Sequence, residues 1–211
     1  MSFYLDRYNT FIFDFDGTIA DTLPLCFDSF RQVFLTFNNE EMSDDNIESW
    51  FGPSEIGIIE NNLKNKADSK RAVDLYYDLY KKNHSSFVKP KKEINSLLLA
   101  LISSGKKIAI VTGKGRISYD ISIKELELEK VIDYSIASED VVNPKPNGEG
   151  IIKTINHFDT SLEKAIYFGD SNADILAAND AGIDSVGVSW FYPKTFDVSP
   201  TFLSASPIDI I

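Results

Sequence analysis

The chain has 211 residues, of which 43% are hydrophobic and 25% charged, the composition of a soluble globular protein with room for one domain carrying a smaller insertion. Its 32 acidic and 21 basic side chains leave a formal net charge of -11, which argues against nonspecific binding to nucleic acid or to an anionic membrane. Cys26 is the single cysteine, no apolar run reaches membrane-spanning length, and Met1 to Asn9 lack the basic-then-apolar pattern of a secretory signal; a reducing, cytoplasmic setting is expected.

In chain order, Phe11-Ile12-Phe13 reads as a short buried strand that ends in Asp14-Phe15-Asp16-Gly17-Thr18. Strand side chains repeat every two residues, so the two carboxylates start on one face, and Gly17 lets the backbone turn away. A helix follows, with Thr22 as its cap, Pro24 in its first turn, and Leu23, Phe27, Phe30, Phe34 and Phe37 as an apolar stripe. Cys26 lies on that helix and reads as packing, not as a nucleophile. A second helix is expected from Ser43 to about Gly52-Pro53. Ser54 would cap a third, carrying Ile56, Ile59 and Leu63. A fourth starts near Ser69, with Val73, Tyr76, Tyr77 and Tyr80 inward. From 20 to 88 the pattern is helical throughout, which predicts a small inserted domain within a core of 1–19 and 89–211.

Beyond the linker-like Val88-Lys-Pro-Lys-Lys, strands and helices alternate, as expected of a mostly parallel, doubly wound α/β sheet. Ile94, Leu97, Leu98 and Leu101 mark a helix closed by Gly105, and Lys107 to Thr112 a buried strand. Ile117, Ile121 and Leu126 mark the next helix, followed by a short strand near Tyr134 to Ala137. After the loop Asn143-Pro-Lys-Pro-Asn-Gly comes a helix with Ile151, Ile152 and Ile155. Ala165 to Gly169 is another buried strand, Asp170-Ser-Asn-Ala-Asp174 opens a helix that closes at Gly182, and Ser185 to Val188 is a last core strand. The tail from Trp190 shows no clear pattern.

Asp14, Asp16, Thr112, Lys145 and Asp170 all fall at or just beyond predicted strand ends, the edge where doubly wound sheets bind ligands. Their chemistry is coherent. Oxygen ligands from Asp14, Asp16 and Asp170 suit Mg²⁺, the hydroxyl of Thr112 and the open backbone of Gly113 suit an anion, and Lys145 supplies a point charge for phosphate oxygens. The two histidines, His84 and His157, are far apart and do not suggest a metal site. Gly113-Lys-Gly-Arg116 is not a nucleotide-binding loop, and Lys114 and Arg116 read as solvated charges.

Together, Asp14-Phe-Asp-Gly-Thr18, Val111-Thr-Gly-Lys114, Lys145-Pro146 and Gly169-Asp-Ser-Asn-Ala-Asp174 resemble, in order and approximate spacing, the motifs of haloacid dehalogenase (HAD) superfamily phosphatases with an inserted helical cap of the C1 type. The resemblance implies a Mg²⁺-dependent phosphatase acting on a small phosphorylated metabolite through an aspartyl-phosphate. Asp14 would be the nucleophile and Asp16 the general acid and base. Thr112, Gly113 and Lys145 would bind the phosphoryl group, with Asp14, Asp16 and Asp170 at the metal. Asp174 would be either a further ligand, a group behind the ligands or simply an acid at a helix start. Trp50-Phe51-Gly52-Pro53 is similar to the substrate-facing loop of phosphoglycolate phosphatases and related pyrophosphatases, and the cap would close over the site and select the substrate. Gly113 stands where many relatives have asparagine, and Asn147-Gly148 where they have a second proline. A phosphomutase, an inorganic pyrophosphatase, a non-catalytic phosphate-binding relative and a phosphorylated signalling receiver are the alternative readings.

Overall fold

The computed structural model describes residues 3–211; Met1 and Ser2, part of the segment read for a signal, lie outside it. Six strands form one sheet in the order β3-β2-β1-β4-β5-β6: β1 (Thr10–Phe13), β2 (Lys107–Val111), β3 (Tyr134–Ile136), β4 (Ala165–Gly169), β5 (Asp184–Val188) and β6 (Phe202–Ser204). Every pairing is parallel. Strand β1 sits inside the sheet, with Thr10 opposite Lys107 on one side and Ala165 on the other. All four of its residues are buried, the polar Thr10 included, as a place inside a parallel sheet requires.

The two-residue period of the strands sorts their side chains into two packing layers. Phe11, Phe13, Ile108, Ile110, Ile166 and Phe168 join one cluster, with Ile94, Leu97, Leu98 and Leu101 of α6 (Lys92–Ser103). Ile12, Ala109, Val111, Ala165 and Tyr167 join the other, with Ile151 and Ile155 of α8 (Glu149–His157) and Ala177, Ala178 and Ala181 of α9 (Asn172–Ala181). Phe13 and Phe168 stack at 4.7 Å on the first face. Each fully buried large side chain of this kind stabilises the fold by about 1.5–3 kcal/mol.

Ahead of α6, four α-helices fill the insertion that follows β1: α2 (Leu23–Asn38), α3 (Asp44–Glu48), α4 (Glu55–Asn62) and α5 (Ser69–Phe87). Helices α2 and α5 carry the packing of this cap. Ala72, Tyr76, Tyr80 and His84, each four residues apart on α5, are its buried residues; Phe30 meets Tyr76 at 4.5 Å, whereas Val73 and Tyr77 are half-buried. Ser54 caps α4 through Gly57, and Gly182 ends α9 with φ of 74°.

Several expectations change. Helix α3 is a short turn of helix over Asp44–Glu48, and Leu63 lies just past α4. Thr22 stands at the start of α2 without capping it, because its hydroxyl is turned to Asp16. Helix α7 (Arg116–Glu125) buries Ser118, Tyr119, Ser122 and Ile123 and leaves Ile117 exposed. The serines sit inside because they bond to the cap: Ser118 donates to Glu55, and Ser122 bonds Tyr80 and His84. The unread tail supplies β6, tied to the sheet by Trp190 Nε1 donating to Ser204 Oγ at 2.9 Å. At the amino end, α1 (Phe3–Arg7) precedes β1.

Candidate active site

The site forms where β1, β2 and β4 end. Asp14 continues the ladder, its N–H donating to Phe168 O at 2.8 Å, and the chain then turns sharply, with Gly17 N donating to Ala20 O at 2.8 Å. Gly17 has φ of 78°, and a Cβ there would lie 2.4 Å from Asp170 Oδ2, so glycine is needed both for the turn and for the approach of Asp170. Asp14 and Asp16 leave this turn for different surroundings.

Asp14 is buried beside Lys145, whose Nζ donates to Asp14 Oδ1 at 2.7 Å and to Asp174 Oδ1 at 2.6 Å. Tyr167 completes this group, accepting from Lys145 at 3.3 Å and donating to Val111 O at 2.7 Å. The other oxygen of Asp174 closes the start of α9, accepting from Ser171 N at 3.0 Å and Ser171 Oγ at 2.6 Å. Asp174 is thus a helix-start acid and an anchor for Lys145 at once. Burial pushes the Asp14 carboxyl up to about 7, against the pull of Lys145 and with further upward push from Asp174, Asp170 and Asp16. Burial opposes the charged Lys145 amine, but Asp14 and Asp174 outweigh it and hold it well above its ordinary range.

Asp170 follows β4 and pairs with Lys194 of the tail at 2.9 Å. Burial raises its carboxyl, and Lys194 works against that rise. One oxygen from each of Asp14, Asp170 and Asp174 lies within 4.8 Å of the others. Such a buried, all-oxygen donor set, with one carboxyl already strained upward by burial, fits a small hard cation such as Mg²⁺. The Asp16 carboxylate is not part of that group.

Asp16 instead accepts from Thr22 Oγ1 and faces Lys114, whose Nζ lies 3.1 and 3.2 Å from its two oxygens. Lys114 is buried, not solvated. It lies 3.6 Å from Cys26 Sγ, 3.7 Å from Glu55 Oε1 and 4.7 Å from the centre of the Tyr80 ring. Burial opposes its charge, yet Asp16, Cys26, Tyr80 and Glu55 together keep the amine well above its usual range. Glu55, the first residue of α4, also accepts from Gly115 N at 2.7 Å, and a Cβ at Gly115 would lie 2.3 Å from that carboxylate. The cap is therefore docked on the β2–α7 loop through one carboxylate. Arg116, likewise read as solvated, bonds Ser135 at 2.9 Å and pairs with Asp140. Cys26 is buried with its thiol pushed up to about 12, a packing group as expected.

Thr112 and Gly113 line the space between these clusters. Thr112 Oγ1 accepts from Lys114 N at 3.2 Å, leaving its proton free to donate elsewhere. A Cβ on Gly113 would touch nothing, so this glycine leaves room on the cavity side. The cavity measures about 320 Å³ and is bounded by Asp14, Asp16, Lys145 and Asp170 below and by Phe51, Gly52 and Pro53 of the cap loop above. Trp50 does not border it and packs edge-on against Phe34 at 5.1 Å, while Phe51 stacks on Phe27 at 5.7 Å. Lys114, Lys194 and Glu55 are the members of the site that sequence reasoning missed.

Sheet, helical insertion and a cavity of small-molecule size over three carboxylates define a capped α/β hydrolase of the phosphatase type. Residues 11–188 match the family model described as haloacid dehalogenase-like hydrolase, and the chain belongs to that family. It is similar to pyrophosphatase PpaX of Bacillus cereus (strain B4264), at 27% identity over 184 residues covering 87% of this chain and 84% of that protein. Among solved structures, a predicted phosphoglycolate phosphatase of Haemophilus somnus 129PT superposes with a TM-score of 0.85 over 96% of each chain at 19% identity. CbbY of Rhodobacter sphaeroides in complex with phosphate superposes with a TM-score of 0.80 over 95% of each chain at 17% identity. No helix among the described residues is long and apolar enough to cross a membrane.

Proposed function

We propose that the enzyme hydrolyses a small phosphate monoester in two steps, with Asp14 as nucleophile and Asp16 as general acid and then base. The observation that carries this reading is the divergence of the two carboxylates from one turn. Asp14 lies with Lys145 and Asp170, where a phosphoryl group meets positive charge; Asp16 lies with Thr22 and Lys114, on the cap side where the leaving group would sit.

In the first step an Asp14 oxygen bonds to phosphorus, the ester P–O bond breaks, and the departing oxygen takes a proton from Asp16. In the second, Asp16 accepts a proton from water, the water oxygen bonds to phosphorus, and Asp14 is released as carboxylate with inorganic phosphate. Lys145 stays within hydrogen-bond reach of the nucleophile throughout and, with the Thr112 hydroxyl and the Gly113 backbone, offsets charge on the phosphoryl oxygens. Mg²⁺ would be held by Asp14 and Asp170, the Asp16 carboxylate being engaged with Thr22 and Lys114; when bound it would supply charge neutralisation for the phosphate. Asp174 holds Lys145 and the helix start behind them. The domain division this implies is a core of 1–19 and 89–211 and a cap of 20–88, the cap closing over the substrate and choosing it.

The test is acid-quenched intact-mass analysis of Asp16→Asn and Asp14→Asn with an aryl phosphate and Mg²⁺. Asp16→Asn should accumulate a phosphorylated chain, and Asp14→Asn should show none and lose turnover by several orders of magnitude. Turnover retained in Asp14→Asn refutes the assignment. Excess chelator should abolish turnover and Mg²⁺ restore it, whereas Ca²⁺ should inhibit.

A further inference from the structure

We infer that the leaving group of the physiological substrate carries no negative charge, an inference that rests on the phosphatase reading above and narrows it. The cavity has two unlike walls. The core wall holds the phosphate-binding groups. The cap wall is apolar where Leu23, Phe30, Phe51, Pro53 and Ile58 face it, and the thiol of Cys26 is neutral because burial pushes it up.

The only charged side chains the cap brings to this cavity are Glu48 and Glu55, both acidic. Among the described residues, no lysine, arginine or histidine between positions 20 and 88 borders it. Arg31, Lys64 and Arg71 are turned to Asp44, Glu40 and Asp68, and His84 is buried against Ser122. The three lysines that do border the cavity come from the core, and each already faces carboxylate: Lys145 between Asp14 and Asp174, Lys194 on Asp170, Lys114 between Asp16 and Glu55.

A second anion beyond the transferring phosphate would therefore lose its water against an apolar wall, find each lysine of the cavity already facing carboxylate, and meet the like charge of Glu48. A neutral leaving group avoids all three costs, and a hydroxyl, amide or ammonium on it can donate to Glu48 at the mouth. Pyrophosphate and phosphoglycolate, the substrates in the names of the relatives, both present a second anion. The cap of this chain is built against such molecules.

Three size-matched esters decide the matter with the purified protein and Mg²⁺: phosphoglycolate, its uncharged amide, and 2-aminoethyl phosphate, with pyrophosphate as a fourth substrate. The amide and the amine should each exceed phosphoglycolate and pyrophosphate in kcat/KM by about tenfold or more. Phosphoglycolate or pyrophosphate turned over as well as the amide overturns the inference. Phe51→Arg adds a cation at an exposed point of the cap wall and should raise phosphoglycolate relative to the amide by about threefold or more; an unmoved ratio also overturns it. No phosphate release from any of these esters or from an aryl phosphate overturns the phosphatase reading itself, an outcome distinct from reversed preference.

Discussion

Two lysines flank the Asp14–Asp16 turn, Lys114 buried and Lys145 partly so, and they are built differently. Lys145 is held wholly by the core, between Asp14, Asp174 and Tyr167, on elements fixed by the sheet. Lys114 is held between core and cap, with Asp16 on one side and Glu55, Cys26 and Tyr80 on the other. The first cluster contains no cap residue, whereas the second joins a core pair, Lys114 and Asp16, to partners that only the cap supplies. Charge at the phosphate is thus a property of the core alone, and the setting of the acid–base carboxylate depends in part on cap position.

Breaking the core cluster should have the largest effect. Lys145→Met leaves Asp14 and Asp174 buried without their shared cation, and turnover should fall roughly a thousandfold or more for every substrate alike. Stability should drop by about 3–5 kcal/mol, read from urea unfolding in chelator. A stable variant with near-normal turnover would remove Lys145 from the site.

Breaking the bridging cluster should cost less and cost selectively. Lys114→Met should lower kcat by roughly 10- to 100-fold, more for esters with poor leaving groups, while the Mg²⁺ concentration for half-activation stays unchanged. Glu55→Gln should act mainly through cap docking and raise KM several-fold with a smaller change in kcat. Equal losses on good and poor leaving groups would reduce Lys114 to a packing role.

The carboxyl of Asp14, raised to about 7 by burial, gives a third contrast. Its folded pKa lies above its unfolded value, so the folded state binds the extra proton between about pH 4 and 7, and stability falls as pH rises through that window. In chelator, Asp14→Asn should melt above the wild type, with the gap wider at pH 8 than at pH 5. Mg²⁺ should narrow that gap. A gap independent of pH would sink the charge argument.

The smallest effect belongs to Gly52→Val in the cap loop. Gly52 has φ of 141° with no atom near its missing Cβ, so the cost is backbone strain of about 1–3 kcal/mol and not a clash. The ranking of kcat/KM among phosphate esters should shift by less than about fivefold with the Mg²⁺ response intact. An unchanged ranking with only a lower Tm would assign the loop to packing.

The core and its phosphate end were legible because their signals are local. Apolar runs end in Asp14, Thr112 and Asp170, and parallel strands place those ends on one edge. The missed residues depend on distant partners. Nothing around Lys114 announces that Glu55, on another element, will bury it, and the serines of α7 look like surface until Glu55, Tyr80 and His84 face them. The same blindness covers Lys194, whose partner Asp170 lies across a loop, and β6, three residues whose only covering comes from the fold around them.

The place of β1 inside an all-parallel sheet also has a consequence for synthesis. Thr10 pairs with Lys107 and with Ala165, so Phe11, Ile12 and Phe13 leave the ribosome long before either neighbouring strand exists. At translation speeds of about 5–20 residues per second, the β4 partner arrives roughly 8–30 s later. During that interval the most apolar strand of the protein has both edges open, the condition under which chains pair with one another. The helices α2 to α5 are all synthesised before β2, so α2 and α5 can meet each other in the meantime. The nascent chain therefore has its cap helices before it has a sheet, and any factor that shields β1 for those seconds should raise the yield of soluble enzyme.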